Sequence, residues 1–338
     1  MKTKLRKIFA GLALVCFAMA LLVAGAEAKT QIKMQCVYPE TSNGGVMVKT
    51  FAKKVAKYTN GEVEVKLFWP NQLVKVKEAY TAVSKGMVDM LYAASIYYGG
   101  IVPASKSQWL PMAWASPEDA YKLFYDFGYM ELLRKANSAK GVWLLGTTFS
   151  GSMGFMTNFD VTGLDSFKGK KIRAMSVDAS LVRGLGASPV AMPGTEMYAA
   201  MKRGTIDGVI YPYYIINTYK FSEVTTCVTL PGIHTPNMVD VYMNQKLWES
   251  LSPKFQFALS RACEETALLS ALWSEKWNRD AFITCKKKGI KIMELSDADQ
   301  AKLRAMARED WKKTAAQSPD LKKAVALIEK FLDSKKGK

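Results

Sequence analysis

Residues 163–212 decide the fold. Leu164-Asp165-Ser166-Phe167-Lys168-Gly169-Lys170-Lys171-Ile172-Arg173 leads into a strand with Arg173 at its end, and Leu185-Gly186-Ala187-Ser188-Pro189-Val190 turns into another. Met192-Pro193-Gly194-Thr195-Glu196-Met197-Tyr198-Ala199-Ala200-Met201 enters a short helix, and Lys202-Arg203-Gly204-Thr205-Ile206-Asp207-Gly208 opens a third strand. The pattern predicts strands over 171–175, 189–192 and 205–212, with helices over 177–184 and 195–202 between them. Such alternation is the mark of an α/β sheet covered by helices.

Working outward, the same alternation recurs. Upstream, strands are predicted over 31–37, 63–68, 87–93 and 141–148. Helices are predicted over 46–58, with Val48, Phe51, Ala52 and Val55 on one face, over 74–84, and over 117–136. Ser116 suits the N-cap of the last, and Pro117 its first turn. Downstream come a strand over 239–244 and helices over 297–313 and 319–333. Between them, from Pro253 to Lys288, no Gly or further Pro interrupts the chain. That run is about 54 Å long if wholly helical, enough to bridge two domains along one side. Two α/β sets without a low-complexity linker imply two lobes joined by more than one crossing.

The amino terminus reads as an export signal. Lys2, Lys4, Arg6 and Lys7 are followed by an uncharged apolar run from Ile8 to Val23 and by Ala26-Glu27-Ala28, a small-x-small cleavage pattern. The competing reading, a membrane anchor, wants roughly 20 apolar residues and no cleavage pattern. Cys16 is preceded by Val15, where a lipid-anchor signal wants a small residue. No later apolar run is long enough to span a bilayer. Of 338 residues, five are Cys and one is His. Cys36, Cys227, Cys263 and Cys285 share no metal-ligand spacing and read as buried thiols. A single His argues against a zinc site and against a Ser-His-Asp or Cys-His catalytic machine. The formal charge is +17. There is no arginine-rich stripe or nucleic-acid motif, so the basic excess points to anions or a membrane surface rather than to nucleic acid.

The ordered series from Gly163 to Pro212 resembles the substrate-binding subunits of tripartite ATP-independent periplasmic (TRAP) transporters. Their pattern is D-L-K-G-x-K-I-R, then L-G-A-x-P-V, then P-x-x-E-x-Y-x-A-L, then G-x-x-D-G. Segments at 62–72 and 83–90, Pro231-Gly232-Ile233-His234 and Lys246-Leu247-Trp248 extend the match over nearly all of the exported chain. The resemblance implies a two-lobed periplasmic binding protein fold with a cleft between lobes and a long helix spanning both. The expected division is 1–28 signal peptide, 29–150 plus 237–278 first lobe, and 151–236 plus 279–338 second lobe.

For the site, the resemblance implies that Arg173 holds a ligand carboxylate. A planar fork of donors matches a planar anion. In Asp207-Gly208-Val209-Ile210-Tyr211-Pro212 the fourth and fifth residues align with ligand-facing positions. The family's keto-acid branch, the closest in motif, carries Glu-Trp there and a Gln aligned with Ser152, which hold a cation. Ile210 and Ser152 replace the cation-holding side chains, so no metal and no cofactor is expected. Tyr211 offers an aromatic wall and a hydroxyl. Tyr97 and Ser95, in Ala94-Ser95-Ile96-Tyr97-Tyr98-Gly99-Gly100, and Tyr38 follow strand ends, where open α/β sheets bind ligands. Phe155 and Ser152 lie at the crossing between lobes, and His234 sits in the Pro231–Pro236 turn. These eight residues are the candidate site.

The expected function is capture of a small organic anion (a carboxylate, keto acid, aromatic acid or sulfonate) in the periplasm and its delivery to integral-membrane subunits of a TRAP-type secondary transporter. A monomer that binds no nucleic acid is expected. Two alternatives stay open: a periplasmic enzyme acting on an organic acid, and the binding component of an ATP-driven importer. Against an enzyme stand the absence of GxSxG, of a metal cluster and of an acid–base pair at motif spacing. The leader reading is checked by intact mass of the exported form, expected to begin at Lys29; an exported chain that retains Met1 contradicts it.

Overall fold

A computed structural model describes residues 29–335; the expected signal peptide at 1–28 with Cys16, and Lys336 and Lys338, lie outside the described residues. The first lobe is built from β1 (Thr30–Cys36), α1 (Asn43–Tyr58), β2 (Val63–Phe68), α2 (Ala79–Ser84), β3 (Met90–Ala93), α3 (Pro117–Asp126), α4 (Tyr129–Ser138) and β4 (Val142–Phe149). Ser42 caps α1, its Oγ accepting from the Gly45 N–H at 3.2 Å. Met47, Val48, Phe51 and Val55 then share the face that packs on the sheet. Ser116 caps α3 as its sequence position predicts. The single helix expected over 117–136 is instead two, because Gly128 turns left-handed at φ 76° between α3 and α4.

The second lobe holds β5 (Met153–Thr157), β6 (Lys171–Arg173), α5 (Asp178–Gly184), β7 (Ser188–Val190), α6 (Met197–Lys202), β8 (Gly208–Pro212), α7 (Ile215–Thr218) and β9 (Cys227–Leu230). The chain then returns through β10 (Met238–Asn244) and α8 (Gln245–Ser250). It runs up α9 (Pro253–Lys287) and closes with β11 (Lys291–Glu294), α10 (Asp297–Ala315) and α11 (Pro319–Lys335). The two sheets have the orders β2-β1-β3-β10-β4 and β11-β9-β5-β8-β6-β7. β1 pairs parallel with β2 and β3, and β6 pairs parallel with β7 and β8. Within each sheet one strand contributed by the other half of the crossing, β10 or β5, runs antiparallel to its neighbours. The four cysteines of the described chain are free and buried.

Four segments tie the lobes together: the 150–153 crossing, the return at 231–238, α9, and α10. α9 is continuous over 35 residues. Its inward positions are mostly small (Ala258, Ala262, Ala267, Ser270, Ser274, Ala281), which lets it lie close against both lobes. The closing helix corrects one expected boundary. α11 packs on the first lobe, not the second: Leu321, Ala324, Val325, Ile328 and Phe331 are buried, the last four within that lobe's core, and Phe331 lies edge-on to Phe127 at 5.2 Å. Burying such side chains is worth roughly 1.5–3 kcal/mol each, which a polar surface position would forgo. Trp311 on α10 anchors the return, its Nε1–H donating to the Pro111 carbonyl at 3.0 Å.

At the first crossing Gly151 is left-handed, φ 65°, and a Cβ there would come within 3.0 Å of Asn278 Oδ1. Asn278, on α9, accepts from the Ser152 N–H at 2.9 Å and donates from Nδ2 to Ser152 Oγ at 3.0 Å. Asn278→Ala leaves a part-buried N–H without a partner and should cost about 1–3 kcal/mol, read as a lowered urea midpoint at unchanged slope. An unchanged midpoint would show that the bridge contributes nothing.

Candidate ligand site in the cleft

The carboxyl ends of the parallel strands in both sheets face one another across the cleft. β1 and β3 deliver Tyr38, Ala94 and Tyr97; β6 and β8 deliver Arg173, Tyr211 and Pro212. Between them lies a cavity also lined by Ile96, Trp109, Met153, Tyr214 and Asn237. The lobes are closed on it: Ala94, Ile96 and Trp109 of the first lobe pack into the apolar core of the second.

Arg173 is 3% exposed. Its Nε–H donates to the Met192 carbonyl and its Nη1 to the Ile210 carbonyl, both at 3.1 Å. The guanidinium carbon stands 5.1 Å from the centre of the Tyr211 ring. A guanidinium carries five N–H donors; Nη2 and one hydrogen of Nη1 have no protein partner among the described residues. No carboxylate pairs with it there either. Two backbone carbonyls and an aromatic face orient the fork and aim its free edge into the cavity.

Phenols surround it. Tyr38, Tyr211 and Tyr214 are almost fully buried, and Tyr97 is partly so. Burial first, and the neighbouring phenols second, push the hydroxyls of Tyr38 and Tyr211 well above the ordinary tyrosine range. Burial likewise raises Tyr214. The hydroxyls therefore stay protonated and can donate. Two rings rest on glycines that admit no side chain. A Cβ on Gly44 would meet Tyr38 Cδ2 at 2.7 Å, and one on Gly194 would meet Tyr211 Oη at 2.3 Å. Asn237 joins the two crossings: Nδ2 donates to the Ser150 carbonyl at 2.8 Å and its N–H to that of Gly151 at 3.0 Å.

Of the eight candidate residues, Arg173, Tyr211, Tyr97 and Tyr38 line the cavity. The other four do not. Ser95 Oγ is taken by the Trp109 indole N–H at 2.9 Å, and Ser152 by Asn278. Phe155 is core, its ring 4.4 Å from that of Phe167. His234 is buried, bonded through Nε2 to Asp178 Oδ1 at 2.8 Å and set edge-on to Trp109 at 5.7 Å. It supports the wall of the cavity from behind. Trp109 and Asn237 line the cavity without being sequence candidates, and Met153 and Tyr214, outside the eight, line it too. Met153 and Asn237 had a readable signal, since both adjoin the crossings; Trp109 had none, ending a 3₁₀ helix over Pro103–Trp109.

A two-lobed α/β chain that shuts a buried, uncompensated cation between its sheets defines a solute-binding protein. The model of the bacterial extracellular solute-binding protein family 7 matches residues 35–318, and the chain belongs to that family, the binding subunits of TRAP transporters. It is 30% identical over 233 residues to the C4-dicarboxylate-binding periplasmic protein of Rhodobacter capsulatus, covering 68% of this chain and 69% of that one. It is 25% identical over 298 residues to the 2,3-diketo-L-gulonate-binding periplasmic protein of Escherichia coli, covering 86% and 89%. Among solved structures, a TRAP periplasmic solute-binding protein from Rhodobacter sphaeroides in its open, ligand-free state aligns with a TM-score of 0.70 at 26% identity, over 90% of this chain and 98% of that one. Among the described residues no helix is long and apolar enough to cross a membrane.

The contact between Gly194 and Tyr211 is testable. Gly194→Ala overpacks the ring and should cost about 1–3 kcal/mol. If Tyr211 is a ligand wall, calorimetry should show affinity lowered roughly 5- to 150-fold; unchanged affinity would remove Tyr211 from the site.

Proposed function

We propose that this protein captures a small monoanion with a planar, largely apolar body, an aromatic or keto monocarboxylate, outside the cytoplasmic membrane. It then presents the anion unchanged to the membrane subunits of a TRAP-type secondary transporter. The observation that carries the reading is Arg173: buried, held by two carbonyls, without a carboxylate partner, and with donors open to the cavity. Two carbonyls and the Tyr211 ring offset most of the cost of burying that charge and leave donors that an anion would meet.

Cavity chemistry supports the narrower class. Among the described residues Arg173 is the one cationic side chain on its lining, and no Asp or Glu lines it. A second carboxylate would find only phenols; a polyhydroxylated sugar acid would find few acceptors. Ala94, Ile96, Trp109, Met153 and Pro212 suit an apolar or aromatic body. Against turnover, the lining offers no nucleophile beside a base among the described residues, and burial pushes the phenols of Tyr38 and Tyr211 well above the ordinary tyrosine range. Against a bridging cation, the Ile210 carbonyl is taken by Arg173 and Ser152 Oγ by Asn278. The leader at 1–28 would supply export.

The test is a thermal-shift screen over monocarboxylates, aromatic acids, dicarboxylates and sulfonates, followed by calorimetry with and without chelator. Monocarboxylates should lead, and chelation should change nothing. In a variant whose fold is verified by circular dichroism, Arg173→Ala should lose about 2–5 kcal/mol, some 30-fold to several thousand-fold in affinity. Arg173→Lys should fail nearly as badly, whereas Lys170→Ala should bind as wild type. Near-wild-type affinity in folded Arg173→Ala sinks the reading.

A further inference from the structure

The phenols buried in the two cores are paired. Tyr80 donates to Asn137, Tyr98 to the Val76 carbonyl, Tyr213 to the Thr229 carbonyl and Tyr242 to Asp240. Tyr92 bonds with Thr148, and Tyr129 with Ser107. Outside the cavity lining Tyr219 is the exception. Its hydroxyl is buried and has no hydrogen-bond partner of normal geometry among the described residues. Stranding a buried hydroxyl costs more than a made hydrogen bond returns, so an orphan of this kind calls for a role.

Its surroundings point to that role. Tyr219 ends α7, its N–H donating to the Ile215 carbonyl at 2.9 Å, and Lys220, left-handed at φ 57°, turns the chain away. The ring packs on the second lobe's core, 6.0 Å from the Tyr211 ring and tilted 45° to it. Burial first, then the phenols of Tyr214 and Tyr97, push the hydroxyl well above the ordinary tyrosine range, and the Tyr211 hydroxyl acts in the opposite sense. Tyr38 feels Tyr219 in turn. Tyr38 and Tyr97 belong to the first lobe, so both lobes enclose the Tyr219 hydroxyl, and parting them would return it to water. Tyr211 lines the cavity and Tyr219 does not, so Tyr219 reaches a ligand only through Tyr211. If Tyr219 gives its proton to the Tyr211 oxygen, the Tyr211 O–H is left to donate onward, and each bond of such a chain strengthens the next. The Arg173 guanidinium lies against the same Tyr211 ring, so the acceptor this chain serves sits beside the carboxylate that Arg173 would hold.

We propose that Tyr219 is a positioning residue that acts through Tyr211 to make the site prefer 2-oxo monocarboxylates over the same acids without the oxo group. The proposal rests on Arg173 as the anion anchor. An oxo oxygen next to the carboxylate draws the Tyr211 hydroxyl into line, and Tyr219 then gains its partner. An acid without that oxygen leaves the Tyr219 hydroxyl stranded as the lobes close over it. Closure is thereby linked to the ligand's second functional group and not to its charge alone.

The first measurement is made without added ligand. Tyr219→Phe deletes an orphaned hydroxyl, so its urea midpoint should rise at unchanged slope. An unchanged or lowered midpoint overturns the proposal, because the hydroxyl then has a partner already. Calorimetry next compares phenylpyruvate with 3-phenylpropionate, and pyruvate with propionate. The wild type should favour the oxo acid in at least one pair. Tyr219→Phe should bind that oxo acid roughly 3- to 10-fold more weakly and its counterpart within about 2-fold of wild type. Tyr211→Phe should lose the same preference, and the double variant should lose no more than Tyr211→Phe alone, since the two hydroxyls act as one chain. A merely structural role for Tyr219 would weaken both acids alike and add to Tyr211→Phe. Either of those results, or a wild type with no preference in either pair, overturns the proposal. The anchor is scored separately: folded Arg173→Ala should lose both acids of a pair, and retained affinity there sinks the anion reading instead.

Discussion

A guanidinium buried without a counterion is expensive, and much of this structure can be understood from how Arg173 is held. Desolvating the charge costs several kcal/mol. Each hydrogen bond from a charged group returns about 1.5–3 kcal/mol, and a desolvated cation–π contact about 2. The Met192 and Ile210 carbonyls and the Tyr211 ring thus offset most of the penalty while leaving the fork's outer donors unmet. The carbonyls are available because Ile210 lies in β8, beside β6, and Met192 follows β7, on its other side. The ring is available because Gly194 lets it lie against the chain. The strand order of the second sheet is therefore also the construction of the site proposed for the anion.

Closure adds a second constraint. Bringing Ala94, Ile96 and Trp109 onto the second lobe removes water from Arg173 and strengthens whatever it binds. Closure must also be reversible if the solute is to be released. The crossings meet this by concentrating polar contacts at a few residues. Asn278 grips Ser152 from α9, and Asn237 grips the Ser150 and Gly151 carbonyls. The left-handed Gly151 between them bends the chain where no side chain would fit.

The α/β class, the long helix, the placement of Arg173 and its neighbour Tyr211 were legible because each depends on local pattern. Periodicity over 163–212 gives the strands, and strand ends give the cleft. What was illegible depends on contacts distant in sequence. β5, β9 and β11 are short and have no clear alternation, and they exist because the sheet pairs them. α11 reads as a terminal helix, but nothing in 319–335 says which lobe it covers; Phe127 and the core beside it decide. His234 resembles a ligand contact in sequence and becomes a wall support because Asp178, 56 residues away, reaches its ring. Ser95 is withdrawn in the same way by Trp109.

If Arg173 is the anion anchor, selectivity follows more from what the cavity refuses than from what it grips. Burial holds the phenols of Tyr38 and Tyr211 neutral, so they supply donors without charge. A ligand with one anionic group is met by one cation and by hydroxyl donors around it. A second anionic group would be desolvated with no cation to face, a loss that phenol hydrogen bonds recover only in part. A ligand rich in hydroxyls would leave several of them against the apolar wall without a partner. A planar apolar body loses nothing on entry, since Trp109, Met153 and Ile96 already exclude water there. Discrimination of this kind needs few residues dedicated to one ligand, so chains that share the Arg173 fork can differ in solute by exchanging only the wall opposite it.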